Sequence, residues 1–182
     1  MEVIKPLIAS WEKKCSSIPL LFYLYSRPYK SILKKEIALA DISENDYILN
    51  VGCGAMPFTA IYLAKLTGAR ILAIDKDEKV IEKAKETIAN MGYSDKIEVL
   101  NANGIDINEK EFTVALVALQ AEPKTEILEN LLAASKDGTR MVFRIARDFF
   151  ASQYDFIAEK YQAEAIAKQR MITFDKSVLF IK

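Results

Sequence analysis

The sequence predicts a doubly wound α/β domain with a mainly parallel sheet. Three observations carry that reading. Short apolar runs alternate with amphipathic stretches from residue 47 onward, the first run ends in a Gly-x-Gly turn, and the second ends in an acid. Alternation of this kind requires crossover connections, which place helices on both faces of a parallel sheet.

Taken in order, residues 28–40 form a helix ahead of the sheet. Pro28 is preset for a first turn, and Tyr29, Ile32, Leu33, Ile37 and Ala40 recur at three- and four-residue spacing. YILNV (47–51) is the first strand and runs directly into Gly52. Helical spacing resumes from Pro57 through Phe58, Ile61, Tyr62 and Leu66, and Gly68 stands where a helix would stop. RILAI (70–74) is almost wholly apolar, as a strand covered on both faces should be, and it ends at Asp75. Asp77 is placed to cap a helix whose Val80, Ile81, Ala84, Ile88 and Met91 form one stripe before Gly92. Residues 97–100 are the third strand and FTVALVAL (112–119) the fourth, with room between them for a turn or two of helix. Residues 124–134 are helical, Asp137-Gly138 breaks them, and 139–145 make the fifth strand. The remainder is expected as a helix over 149–161 and an antiparallel strand pair, 164–172 and 177–181, joined by Phe174-Asp175-Lys176.

Composition supports a single domain over 1–182, with 1–45 as an N-terminal helical segment or lid and 46–182 as the Rossmann-like core. The chain is 51% hydrophobic and 27% charged, without a low-complexity linker. Lys plus Arg and Asp plus Glu number 25 each, so no net field favours nucleic acid or an anionic membrane, and a small neutral or zwitterionic substrate is expected instead. The apolar run 18–25 is too short to span a bilayer. Cys15 and Cys53 cannot build a disulfide framework, which points to the cytoplasm. There is no histidine. That excludes Ser-His-Asp and Cys-His catalysis and histidine-ligated zinc, and no metal is expected.

In open α/β sheets ligands bind beyond the carboxyl ends of the strands, which singles out the first strand-helix turn. Gly52 and Gly54 allow tight backbone geometry and close approach of a ligand, with Cys53 between them and the free amides of the Pro57 helix beyond. Asp75, ending the next strand about twenty residues on, is placed to accept hydrogen bonds from the hydroxyls of an adenosine ribose. Dinucleotide binding calls for a third glycine that lets the helix pack tightly on the strand, and Pro57 stands there. S-adenosylmethionine has no pyrophosphate, so it tolerates a proline in that first turn.

These residues resemble the first two motifs of class I S-adenosylmethionine-dependent methyltransferases, whose fold also ends in an antiparallel hairpin. GCGAMPFTAIYLAK (52–65), LVALQAEPK (116–124), GTRMVFR (138–144) and SVLFIK (177–182) are more narrowly similar to nicotianamine synthase, especially its archaeal form. LFYLYSRPYKSILKKEIAL (21–39) resembles the segment before that family's cofactor domain. The resemblance implies S-adenosylmethionine as cofactor, and in that family transfer of its 3-amino-3-carboxypropyl group, leaving methylthioadenosine. The family carries a helical domain, with a glutamate proposed as base, ahead of the aromatic segment, where residues 1–17 stand here. After the fifth strand, a glycine and a second arginine give way to Asp148 and Phe150.

The candidate cofactor ligands are Asn50, Gly52, Cys53, Gly54, Asp75, Lys76, Asn103, Gly104 and Leu119. Asn50 either orients the glycine turn or is a plain polar strand residue, and Asn103-Gly104 either faces adenine or is an ordinary turn. Glu122 and Tyr25 are the catalytic candidates. A carboxylate after the fourth strand can orient an amine or take its proton, or simply start a helix. Tyr23, Tyr25 and Tyr29 read as a lid or as core. Arg144 and Arg147 read as holders of a substrate carboxylate or as solvated charges. The function expected is an S-adenosylmethionine-dependent transferase, with methyl as the first cargo, aminocarboxypropyl as the alternative, and a non-catalytic binding module as a third reading. A homodimer or a partner subunit supplying the helical portion stays open.

Overall fold

The structure is a computed structural model describing residues 26–107 and 111–182. Cys15, Tyr23 and Tyr25 lie outside the described residues. Helix α1 (Arg27–Leu39) carries its proline in the first turn, as the spacing predicts. It is followed by β1 (Tyr47–Val51), α2 (Phe58–Thr67), β2 (Arg70–Asp75), α3 (Glu78–Asn90), β3 (Ile97–Asn101), β4 (Val114–Val117), α4 (Lys124–Ala134), β5 (Arg140–Ala146), β6 (Ala165–Lys168) and β7 (Phe174–Ile181).

The seven strands lie in the order β3-β2-β1-β4-β5-β7-β6. Strands β1 to β5 are parallel, while β7 runs antiparallel to both β5 and β6. Strand order reverses between β1 and β4, so the turn leaving β1 stands over the crevice where such sheets bind ligands.

Two helix boundaries follow from a residue with a local job. Asp77 caps α3 by accepting the Lys79 amide, 3.0 Å. Gly68 ends α2 at φ 78, a left-handed cap that a Cβ would disfavour. Helix α2 is buried on nearly every side from Phe58 to Ala64 because α1 covers the face turned away from the sheet. Helices α1, α2 and α3 close one face of the sheet around Leu33, Ile48, Ile61 and Ile71. Helix α4 closes the other around Leu49, Val117, Ile127 and Phe143.

A buried ion pair fastens α1. Arg144 on β5 donates from Nε and Nη2 to the two Glu36 carboxylate oxygens at 2.9 and 2.8 Å, and from Nη1 to Thr59 Oγ1 at 3.1 Å. Ser177 Oγ on β7 donates to the same carboxylate at 2.7 Å and accepts from Gln169 Nε2 at 3.1 Å. Burial disfavours the Arg144 charge, but the facing carboxylate outweighs it and raises the pKa above the ordinary arginine value. Arg144 is thus neither a solvated charge nor free to hold a substrate. Arg147 is also engaged, donating from Nε to the Met171 carbonyl at 2.8 Å.

Two C-terminal expectations are corrected. The helix expected over 149–161 is replaced by a short 3-10 turn, Asp148–Gln153, and an irregular strap. Phe149 and Phe156 stay exposed instead of forming a buried stripe, and the strap bonds the start of α4. Asp155 accepts the Lys124 amide, Thr125 Oγ1 donates to the Phe156 carbonyl, and the Ala158 amide donates to Thr125 Oγ1. The terminal pair is displaced too. Phe174, Asp175 and Lys176 belong to β7 because β5 extends to Ala146 and offers them partners, so the connection falls at 169–173.

Removing one partner of a buried pair strands the other charge. Glu36→Leu is expected to destabilise the fold by about 3–5 kcal/mol, and Glu36→Leu with Arg144→Leu to recover much of that loss. Chemical denaturation of both variants measures it.

Candidate functional site

Backbone bonds build the site at the carboxyl ends of β1 and β2. The amides of Gly52 and Cys53 both donate to the Ile74 carbonyl, at 2.9 and 3.0 Å, which folds the turn back onto β2. The Gly54 amide then donates to Asp75 Oδ2 at 2.9 Å, and the Asp77 amide to Asp75 Oδ1 at 3.0 Å. One carboxylate therefore links the glycine turn to the start of α3. Gly52 sits at φ 79, and a Cβ there would come within 3.2 Å of the Ala118 Cβ. Gly54 sits at φ 65 with nothing within 4 Å of where its Cβ would be, so the space above it is open to a ligand.

Gly52, Gly54, Asp75, Lys76, Asn103, Gly104 and Glu122 line one cavity of about 160 Å³. All seven are residues that the sequence singles out. Asn103 accepts the Ile105 amide, 3.4 Å, and starts the short turn Gly104–Asp106. Gly104 is glycine for packing, since a Cβ would come within 2.9 Å of Val51 Cγ1. Lys76 reaches across the opening, its Nζ 3.4 Å from the Glu122 carbonyl. A second, more open cleft of about 460 Å³ shares Lys76 and Glu122 and adds Ser152, Tyr154 and Asp155.

Three expected ligands stand elsewhere. Asn50 and Cys53 are buried beneath the turn, on the side of α1 and α2. Asn50 Nδ2 donates to the Leu116 carbonyl at 3.3 Å, whereas its buried Oδ1 has no partner. Leu119 lies in a small apolar cluster with Ile32, Ala146 and Phe174, against which Tyr29, Tyr154 and Met171 pack. Tyr29 stacks on Phe58 with ring centroids 5.3 Å apart, which favours the core reading of that tyrosine.

A family model described as nicotianamine synthase protein matches residues 9–172. The chain belongs to the nicotianamine synthase family. It is similar to the L-histidine 2-aminobutanoyltransferase of Yersinia pestis, 24% identical over 120 residues that make up 66% of this chain and 45% of that protein. The ribosomal RNA small subunit methyltransferase A of Mycolicibacterium paratuberculosis is 27% identical over 101 residues, 54% of this chain and 29% of that one. Among solved structures, MtNAS in complex with MTA and tNA superposes with a TM-score of 0.83 at 22% identity, covering 94% of this chain and 68% of that one. An RNA methyltransferase from Salinibacter ruber, in complex with S-adenosyl-L-homocysteine, gives 0.69 at 20% identity, covering 84% and 90%. The chain thus spans under half the length of the curated relatives named here, and the solved structures share its fold.

Within this nicotianamine synthase family fold, Ser152, Tyr154 and Asp155 line the second cleft, which periodicity misses because their segment forms a 3-10 turn and an irregular strap in place of the expected helix. Lys124 is missed as well. It opens the helix read over 124–134 and ends the LVALQAEPK stretch, and its side chain is fully buried. No helix among the described residues is long and apolar enough to cross a membrane.

Burial, helped by the Asp75 carboxylate, pushes the Cys53 thiol up to about 12. In a Cys15→Ser background, the folded protein is therefore expected to react with a disulfide reagent at pH 8 at least about a hundredfold more slowly than the unfolded chain. Comparable rates in native buffer and in denaturant would contradict that.

Proposed function

We propose that this nicotianamine synthase family member is an S-adenosylmethionine-dependent transferase acting on a small-molecule acceptor. The observation that carries the reading is the convergence of Gly52, Gly54 and Asp75 on one cavity at the strand-order reversal. The residues fit the cofactor. Asp75 retains acceptor capacity beyond its two amide bonds for ribose hydroxyls, and Asn103 and Gly104 lie where the adenine would pack. Open space above Gly54 suits the amino acid end. Lys76 lines the same cavity, where its backbone would lie beside the adenine.

When bound, the cofactor supplies a sulfonium, which makes an attached carbon electrophilic without a metal or a histidine. The protein's task is then to exclude water and align a nucleophile. Glu122 is exposed at the junction of the two clefts, where its carboxylate can orient an acceptor amine and hold its proton. Tyr25, the second catalytic candidate, lies outside the described residues. Balanced charge supports a small acceptor, and a free buried Cys53 supports a cytoplasmic setting.

Methyl and 3-amino-3-carboxypropyl transfer both suit this cavity. Family membership and the aminobutanoyltransferase relatives support the second. Product analysis separates them: methylthioadenosine marks aminocarboxypropyl transfer and S-adenosylhomocysteine marks methyl transfer.

Calorimetry with S-adenosylhomocysteine is expected to show micromolar binding, weakened by about 1–3 kcal/mol in Asp75→Ala. Asp75→Asn, which keeps an acceptor for the Gly54 amide, should lose less. An unchanged affinity in folded Asp75→Ala would remove Asp75 from the site.

A further inference from the structure

Lys124 stands at the first position of α4 and is 0% exposed, a rare place for an ammonium group. Its Nζ donates to two backbone carbonyls, Leu119 at 2.6 Å and Ala121 at 2.9 Å. Among the described residues it has no carboxylate within ion-pair distance. The charged groups that face it are Asp155, which accepts the Lys124 backbone amide from the strap, and Glu122 on the same loop. Lys76 is a further cation, bonded to the Glu122 carbonyl from the turn after β2.

The two carbonyls have a consequence on the other side of the loop. In a trans peptide the N–H points opposite to the C=O, so turning the Leu119 and Ala121 carbonyls toward Lys124 turns the Gln120 and Glu122 amides away from it. Gln120, Ala121 and Glu122 line the cavity with Asp75, whereas Lys124 lines neither cleft. The ammonium therefore lies behind the wall and fixes how that wall is presented.

We infer that Lys124 is a positioning residue for ligand binding: its buried ammonium holds the loop 119–122 in the orientation that presents the Gln120 and Glu122 amides to the cavity. The inference rests on the S-adenosylmethionine reading above. It also makes binding depend on protonation. Burial pushes the Lys124 pKa down to about 8, against the pull of Asp155 and Glu122, so its charge is lost within an accessible range. A neutral amine still has two hydrogens to donate, but charge-assisted bonds are the stronger ones. Ligand that orders this loop favours the charged form, so its affinity falls as pH rises through 8. Fold stability runs the other way. The unfolded lysine binds its proton up to about 10.5, so this group's contribution to stability rises between pH 8 and that value.

The test is calorimetry of S-adenosylhomocysteine binding from pH 6.5 to 9.5, in wild type, Lys124→Met and Lys124→Gln, with thermal unfolding of each protein. Wild type is expected to lose about three- to tenfold in affinity across pH 8. Lys124→Met should bind more weakly at pH 7 without the step, and Lys124→Gln, able to reach one carbonyl, should fall between. A lysine that only supports the fold would lower the unfolding midpoint while leaving affinity and its pH slope unchanged, and that result overturns the inference. If Lys124→Met fails to fold, the side-chain amine of the wild-type lysine, followed by NMR with and without ligand, decides the same question. A pKa near 8 that rises on binding supports the role, and one that ligand does not move overturns it. Absence of binding by folded wild type at every pH would overturn the cofactor reading as well, whereas binding without the step overturns the Lys124 inference alone.

Discussion

The Ile74 carbonyl accepts two amides, Gly52 and Cys53, and the carboxyl edge of the sheet is placed from that junction. Two consecutive N–H groups can converge on one oxygen only if the chain reverses sharply, which is why the first of them has positive φ and no side chain. Once the chain is folded back, the Gly54 amide meets the Asp75 side chain, and the same carboxylate reaches the start of α3. The residue best placed to bind ribose is therefore also a structural clasp. Its orientation is fixed before any ligand arrives, which lowers the ordering that binding must impose.

Two buried cations show contrasting ways to hold charge away from water. Arg144 meets a carboxylate across both of its donor edges, and a hydroxyl from β7 completes the set. That arrangement keeps the charge at any pH the fold survives. Lys124 is bonded only to carbonyl dipoles, with its carboxylates at a distance, so its proton is held less firmly. The first locks helix α1 to the sheet. The second stands one peptide layer behind the ligand wall, where a change of charge is felt by backbone that faces the cavity.

Much of this is legible in the sequence because the signals are local. Gly52, Gly54 and Asp75 occupy positions set by one strand-turn-helix unit, and the alternating apolar runs fix which strand ends lie together. The limits come where a residue's meaning depends on a distant partner. Arg144 carries no mark of Glu36, 108 residues away. Lys124 looks like any charge at a helix start until its burial is known. Residues 149–161 contain enough apolar side chains for a helix, but their backbone is claimed by the start of α4, so periodicity misleads there. The apolar run 112–119 places Leu119 in the fourth strand, but β4 ends at Val117 and the Leu119 side chain joins an apolar cluster outside the lining of the cavity with Asp75.

The clasp on Glu36 has a meaning for how the chain is made. Helix α1 is made before its partners, since Arg144 and Ser177 follow Glu36 by 108 and 141 residues. Until β7 has left the ribosome, the acid lacks its full set of donors and the helix lacks the finished sheet it covers. Contacts of such wide separation slow folding, because loops must close before they are rewarded. A ribosome-bound chain halted before residue 177 should thus hold α1 less firmly than the finished molecule does, leaving it more open to chaperones and proteases.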